Sequence, residues 1–195
     1  IIPTGLNLDK FTLPIAESEI NSLKEQLGIP RESKVLITVG RTAKEKNIDE
    51  LIRSYKQLNL KNAVFVIVGG GPYLATLKEI AQTENVTDKV IFTGEVSPDK
   101  IGKYYKLGDV FLSASQSESQ GLTYIEALAS GLPAICKKDE CLEGVITDGV
   151  NGGLYTDFDS FRQLINSVLG DEELRSRLSE NAAVTAQRYS AAEFA

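Results

Sequence analysis

Val64-Phe65-Val66-Ile67-Val68-Gly69-Gly70-Gly71-Pro72 joins an unbroken apolar run to a glycine turn, and a helical pattern follows at once. An apolar run without alternation predicts a strand covered on both faces, as in a buried parallel sheet. Outward from it the pattern recurs in Val35-Leu36-Ile37-Thr38-Val39, Val90-Ile91-Phe92-Thr93 and Asp109-Val110-Phe111-Leu112. Before the quoted run, Ile48, Leu51, Ile52, Tyr55 and Leu58 keep the spacing of an amphipathic helix, with Asn47 at its N-cap and Glu50 three residues on. Leu74, Leu77, Ile80 and Ala81 repeat that spacing after it, and Ser97-Pro98 predicts the start of a further helix whose Ile101, Tyr104, Tyr105 and Leu107 point inward. A long helical segment is expected from about Phe158 onward, covering one side. Strand and helix alternate, so the expected class is α/β, a Rossmann-like doubly wound parallel sheet flanked by helices and built from right-handed βαβ units.

Composition sets the outer limits. With 195 residues, 42% hydrophobic and 25% charged, residues 1–195 are expected to form one soluble globular domain. The net charge of -6 argues against a nucleic-acid partner, which calls for clustered Lys and Arg. No apolar run is long enough to cross a bilayer and the opening residues carry no charged n-region, so a cytoplasmic chain is expected. The chain has no His, which excludes a Ser-His-Asp or Cys-His arrangement and imidazole ligation of a metal. Cys136 and Cys141, alone at C-x4-C spacing, are a poor zinc signal. Cys136 reads as a small buried hydrophobe in Pro133-Ala134-Ile135-Cys136, and Cys141 as a loop residue. Ile1-Ile2-Pro3-Thr4-Gly5-Leu6-Asn7 resembles a strand with no element to pair with, and Ala191-Ala192-Glu193-Phe194-Ala195 lies inside a helical pattern, so a piece of a longer chain is expected.

In a doubly wound sheet, ligands bind at the carboxyl ends of the strands. Gly40-Arg41, Gly69-Gly70-Gly71-Pro72, Gly94-Glu95 and the segment from Ser113 to Glu118 each follow a predicted strand, which puts all four on that edge. Arg41 and Lys46 are fixed cations able to hold a diphosphate, the alternative being a solvated turn before a helix. The triple glycine either lets a ligand approach the backbone or makes a tight turn, and it does not match the dinucleotide fingerprint. Ser117-Glu118-Ser119-Gln120-Gly121-Leu122-Thr123-Tyr124-Ile125-Glu126 sets two carboxylates around a helix start, and Gly131-Leu132-Pro133 closes that helix. A helix N-terminus suits a phosphate, and carboxylates suit sugar hydroxyls; a site that holds both is a nucleotide-sugar site. In one continuous helix the two carboxylates would be ~12 Å apart along the axis and turned ~80° from each other. A helix starting at Gly121 instead leaves Glu118 on the loop and Glu126 a turn inside, as two grips on one ligand. The alternative is a surface capping carboxylate and a solvated helix position.

Taken in order, Gly40-Arg41 with Lys46, the triple glycine, Val90-Ile91-Phe92-Thr93-Gly94, Glu118 with Gly121-Leu122, Glu126-Ala127 and Gly131-Leu132-Pro133 resemble the retaining glycosyltransferases of family 4, over nearly all of the chain. The resemblance implies one half of a GT-B enzyme, the C-terminal donor domain, with an N-terminal acceptor domain outside this sequence. It implies that Arg41 and Lys46, beside Gly40, clamp the phosphates and that the amides near Gly121, Leu122 and Thr123 receive sugar and diphosphate. Glu118 would contact the sugar hydroxyls and Glu126 the ribose, while Gly94, Glu95 and Val96 lie beside the base and Gly70 lets the nucleotide approach. No metal or other cofactor is implied, the nucleotide sugar being a substrate. Gln120 departs from the family pattern, which commonly has an aromatic residue there. Residues 118–126 and 138–146 are similar to bacterial enzymes that glucosylate diacylglycerol, which implies UDP-glucose as donor and a lipid acceptor, diacylglycerol or a glucolipid, at the inner face of the membrane. A donor half alone is expected to be inactive in transfer. A nucleotide-binding module without transfer activity and a GT-B transferase for polysaccharide or protein acceptors are the competing expectations.

Overall fold

A computed structural model describes residues 6–115 and 121–190. Two helices, α1 (Asp9–Thr12) and α2 (Glu17–Gln26), precede the sheet. Strands β1 (Lys34–Val39), β2 (Ala63–Val68), β3 (Val90–Gly94) and β4 (Val110–Ser113) alternate with α3 (Ile48–Leu58), α4 (Leu74–Thr83) and α5 (Ile101–Leu107). After β4 come α6 (Leu122–Ala129), β5 (Ala134–Lys137), β6 (Gly152–Tyr155), α7 (Phe158–Gly170) and α8 (Glu172–Gln187). The six strands lie in the order β3-β2-β1-β4-β5-β6, all parallel. This is the expected doubly wound sheet, and the strand order reverses between β1 and β4, which opens a crevice at their carboxyl ends.

Alternation along each strand divides the core in two. Val35, Ile37, Val64, Val66 and Phe111 pack on one face with Phe11, Tyr105, Ile125 and Leu128. Leu36, Phe65, Ile67, Val110 and Leu112 pack on the other with Leu51, Leu77 and Phe161. Because both faces are covered, β2 is buried from end to end, and the apolar runs show no period of two.

Three local expectations are corrected. Asn47 stands at the N-cap of α3 with φ of 50° but makes no side-chain cap; its Nδ2 donates instead to the Ala114 carbonyl at 3.1 Å, and Glu50 pairs with Lys137 at 2.7 Å. A long-range acceptor holds the side chain away from the local N–H groups that it would otherwise cap. The helix expected from Ser97-Pro98 begins at Ile101, after a turn in which Lys100 N–H donates to the Ser97 carbonyl. Cys141 sits in a short 3-10 turn, Glu140–Leu142, with its N–H donating to Asp139. Cys136 is fully buried, as expected. Among the described residues no helix is long and apolar enough to cross a membrane.

Candidate functional site

The carboxyl edge is built by loops bound to one another through their backbones. Gly40 N–H donates to the Val68 carbonyl at 2.9 Å, Thr42 N–H to the Gly70 carbonyl at 2.8 Å, and Gly69 N–H to the Gly94 carbonyl at 3.0 Å. The loops after β1, β2 and β3 therefore form one stitched layer. A Cβ on Gly69 would lie 2.9 Å from the Gly40 carbonyl carbon, and one on Gly71 2.9 Å from Thr42 Oγ1. The outer two glycines thus answer to loop-on-loop packing. Gly70, the middle one, lines a cavity, with the Glu95 side chain lying over it.

Two adjoining cavities open on this edge. The first, about 230 Å³, fills the crevice between β1 and β4 and is lined by Thr38, Gly40, Arg41, Lys46, Phe111, Ser113, Ser115 and the helix start Gly121, Leu122 and Thr123. The second, about 390 Å³, lies on the β2 and β3 side, against Gly69, Gly70, Gly71, Glu95, Val96 and Ile101. Their common wall is Val39, Gly40 and Arg41. The Arg41 side chain is exposed there and makes no ion pair among the described residues. Lys46 ends the 3-10 turn Lys44–Lys46 and is half-buried in the first cavity.

Helix α6 points its N-terminus into the first cavity. Gly121 takes φ of 58° at the N-cap and supplies no side-chain cap, so the first amides of α6 face the cavity with the positive end of the helix dipole behind them. Thr123 reaches across to Gly40: a Cβ on Gly40 would lie 3.8 Å from its Cγ2. Phe111, Ser113 and Ser115 share the cavity face because side chains alternate along an extended chain. The Ser113 hydroxyl is hydrogen-bonded to Tyr124 at 2.8 Å, whereas Ser115 Oγ is buried without a partner among the described residues. An unpartnered buried hydroxyl is rare in a folded protein. Two cations, a helix N-terminus and a hydroxyl-rich floor make this cavity suited to an anion with polar substituents.

Glu126 lies one turn deeper, half-buried, and lines neither cavity. The Tyr105 hydroxyl donates to its Oε2 at 2.9 Å. Burial pushes the Glu126 carboxyl up from its ordinary value, an effect the Tyr105 hydrogen bond and the nearby Lys10 charge partly offset. Burial, with the Glu126 charge and hydrogen bond adding to it, pushes the Tyr105 hydroxyl well above its ordinary value. The structure thus brings together Gly40, Arg41, Lys46, Gly121, Leu122 and Thr123 around one cavity and Gly70, Glu95 and Val96 around the next. Gly94 lines neither, its carbonyl being held by Gly69. Glu118 and Gln120 fall outside the described residues. Sequence reasoning put the segment from Ser113 to Glu118 on the ligand edge without singling out the hydroxyls of Ser113 and Ser115, although their spacing of two at the carboxyl end of a strand was a usable signal. Tyr105 appeared only as a core residue. Residues Lys138, Asp139, Glu140, Glu143 and Asp148 line a wider cavity of about 840 Å³ beyond β5.

The chain has known relatives. The chain is 43% identical over 158 residues to an alpha-monoglucosyldiacylglycerol synthase of Streptococcus pneumoniae and 34% identical over 192 residues to the enzyme of the same name from Acholeplasma laidlawii. These alignments cover 80% and 97% of this chain but only 36% and 48% of the relatives, so the chain spans less than half of their lengths. The fold is shared with HepE from Anabaena, solved in complex with UDP and glucose, at a TM-score of 0.86 and 22% identity over 97% of this chain and 52% of that one. The GT-B character of such structures bears out the expected fold class. The family described as glycosyl transferases group 1 matches residues 19–185, and the chain belongs to it.

Proposed function

We propose that this chain is the nucleotide-sugar half of a retaining, metal-independent hexosyltransferase that uses UDP-glucose. The observation that carries the proposal is Arg41, an exposed guanidinium at the wall between two cavities, beside Lys46 and the bare N-terminus of α6. A diphosphate placed there meets two cations and the amides of Gly121, Leu122 and Thr123 at the helix start, which take up the charge that develops as the sugar departs. The nucleoside then extends into the second cavity, its base against Gly70, Glu95 and Val96 and next to Gly94, with its ribose toward Glu126. The sugar lies in the first cavity, and Glu118, which falls outside the described residues, is assigned its hydroxyls on the family resemblance alone. Glucose and a diacylglycerol or glucolipid acceptor are supported by the names of the two relatives, and UDP by the HepE complex.

Metal independence is part of the proposal because Arg41 and Lys46 stand where a divalent ion would otherwise neutralise the diphosphate. The leaving diphosphate is itself the base that takes the acceptor proton, since no His is present and, among the described residues, no carboxylate lines the first cavity. On this reading the acceptor domain and the lipid surface belong to the rest of the full-length protein, which works at the inner face of the membrane, and the chain alone binds donor without completing transfer.

Calorimetric titration with UDP, UDP-glucose and GDP tests the proposal. UDP and UDP-glucose are expected to bind, and Arg41→Ala to weaken UDP by about ten- to a hundredfold, the worth of a charge-assisted contact. The proposal fails if the folded chain binds neither uridine ligand at millimolar concentration, or if Arg41→Ala binds UDP as the unaltered chain does.

A further inference from the structure

We infer that Tyr105 is a positioning residue for Glu126, fixing its carboxylate so that it can accept from the two neighbouring hydroxyls of a ribose. The inference rests on Glu126 being the ribose contact. Tyr105 is fully buried on α5, and its ring is held edge-on by Phe11 of α1, with centroids 5.5 Å apart at 84°, and from another side by Phe111 of β4 at 6.3 Å. One turn earlier Gly102 brings α5 against the Lys10 backbone, so closely that a Cβ would lie 3.3 Å from the Lys10 carbonyl carbon. The ring has nowhere to move, and the hydroxyl is a fixed donor.

A buried tyrosine hydroxyl needs an acceptor, and a backbone carbonyl serves a purely structural residue well. The Thr123 carbonyl is available to Tyr105 but lies at 3.5 Å, while the carboxylate of Glu126 lies at 2.9 Å. The better bond goes to the group with a chemical task. A carboxylate has about four lone-pair positions on its two oxygens, and Tyr105 occupies one of them on Oε2. The remaining positions then face a diol in one orientation instead of turning about the last side-chain bond, so less freedom is lost when the diol binds. Glu126 is three residues from Thr123, on the same side of α6, and Ile101, four residues before Tyr105, lines the second cavity. Each member of the pair therefore lies about one helical turn behind a residue that lines a cavity, Glu126 behind Thr123 of the first and Tyr105 behind Ile101 of the second.

The test compares UDP with 2′,3′-dideoxy-UDP by calorimetry. The unaltered chain should prefer UDP, and Tyr105→Phe should lower that preference by about tenfold while binding the dideoxy compound normally. In a Glu126→Gln chain the preference should already be reduced, and adding Tyr105→Phe should change it no further. A merely structural tyrosine would move both ligands together. Full preference for UDP in Tyr105→Phe, with Glu126→Gln impaired, overturns the inference and leaves the ribose contact standing. No preference in the unaltered chain, or full preference in Glu126→Gln, removes the ribose contact and the inference with it. Should Tyr105→Phe not fold, Phe11→Leu, which loosens the ring without touching the hydroxyl, must still lower the preference; an unchanged value overturns the inference.

Discussion

Replacing Gly69 by Ala should damage the Arg41 loop from behind. Gly69 has φ of 130°, a conformation that side chains rarely tolerate, and the strain of holding Ala there is about 2 kcal/mol. The added carbon would lie 2.9 Å from the Gly40 carbonyl carbon, about 0.6 Å inside an ordinary carbon contact of about 3.5 Å. The Gly40 carbonyl must retreat, which strains the neighbouring bond from the Gly40 N–H to the Val68 carbonyl and adds about 1 kcal/mol. The sum is about 3 kcal/mol. In a domain of this size that lowers Tm by roughly 6–12 °C. Gly28→Ala is the control, since Gly28 has φ of 69° but no atom within 4 Å of the added carbon. It should cost about 1 kcal/mol, or roughly 2–4 °C. Thermal melts of the two variants, followed by UDP titration of each at a temperature where both are folded, check the reasoning. Equal melting temperatures, or UDP affinity in Gly69→Ala matching that of Gly28→Ala, would refute the idea that this glycine exists to let the Arg41 loop approach.

Other consequences are open to measurement. Burial raises the folded-state pKa of Glu126 above its ordinary value of 4.5, so the stability linked to its protonation is fully present below that value and is lost as pH rises through the folded pKa. Glu126→Gln, neutral throughout, should therefore gain stability relative to the unaltered chain as pH rises above 4.5 in urea titrations; a gap that does not change with pH would contradict the burial argument. Asn151 is 1% exposed, accepts from Thr147 N–H at 2.8 Å, and donates to the Val145 carbonyl at 2.8 Å and to Thr185 Oγ1 at 3.1 Å. Asn151→Ala leaves these groups unmatched and should cost about 2–4 kcal/mol, visible as a lower urea midpoint; an unchanged midpoint would mean that the network carries little stability.

The strands that show in the sequence are those covered by helices on both faces, where almost any polar residue would be penalised. Strand β6 did not show, because Gly152 and Gly153 interrupt the apolar signal. Their reason is tertiary: a Cβ on Gly152 would lie 2.8 Å from the Ala134 carbonyl carbon of β5, and one on Gly153 2.9 Å from Leu164 Cδ1 of α7. Local patterning cannot register a neighbour that distant in the chain. The cap bond that Asn47 does not make at its N-cap position has the same origin, the partner Ala114 being 67 residues away. Arg41 and Lys46 were legible because a doubly wound sheet assigns ligands to one edge, so that loop position alone selects the residues. Tyr105 was half legible: its spacing announces an inward ring, while nothing in a periodicity tells where the hydroxyl ends.

The partition at Val39, Gly40 and Arg41 has an evolutionary consequence. Among the described residues these alone belong to both cavities, so an exchange at Glu95 or Val96 reshapes one chamber and leaves the other's walls in place. The same holds for Ser113 or Ser115 in the opposite direction. Lineages built on this scaffold can change the two ends of their ligand one at a time, each intermediate keeping a working grip at the partition, while a change to Arg41 itself would disturb both chambers in a single step.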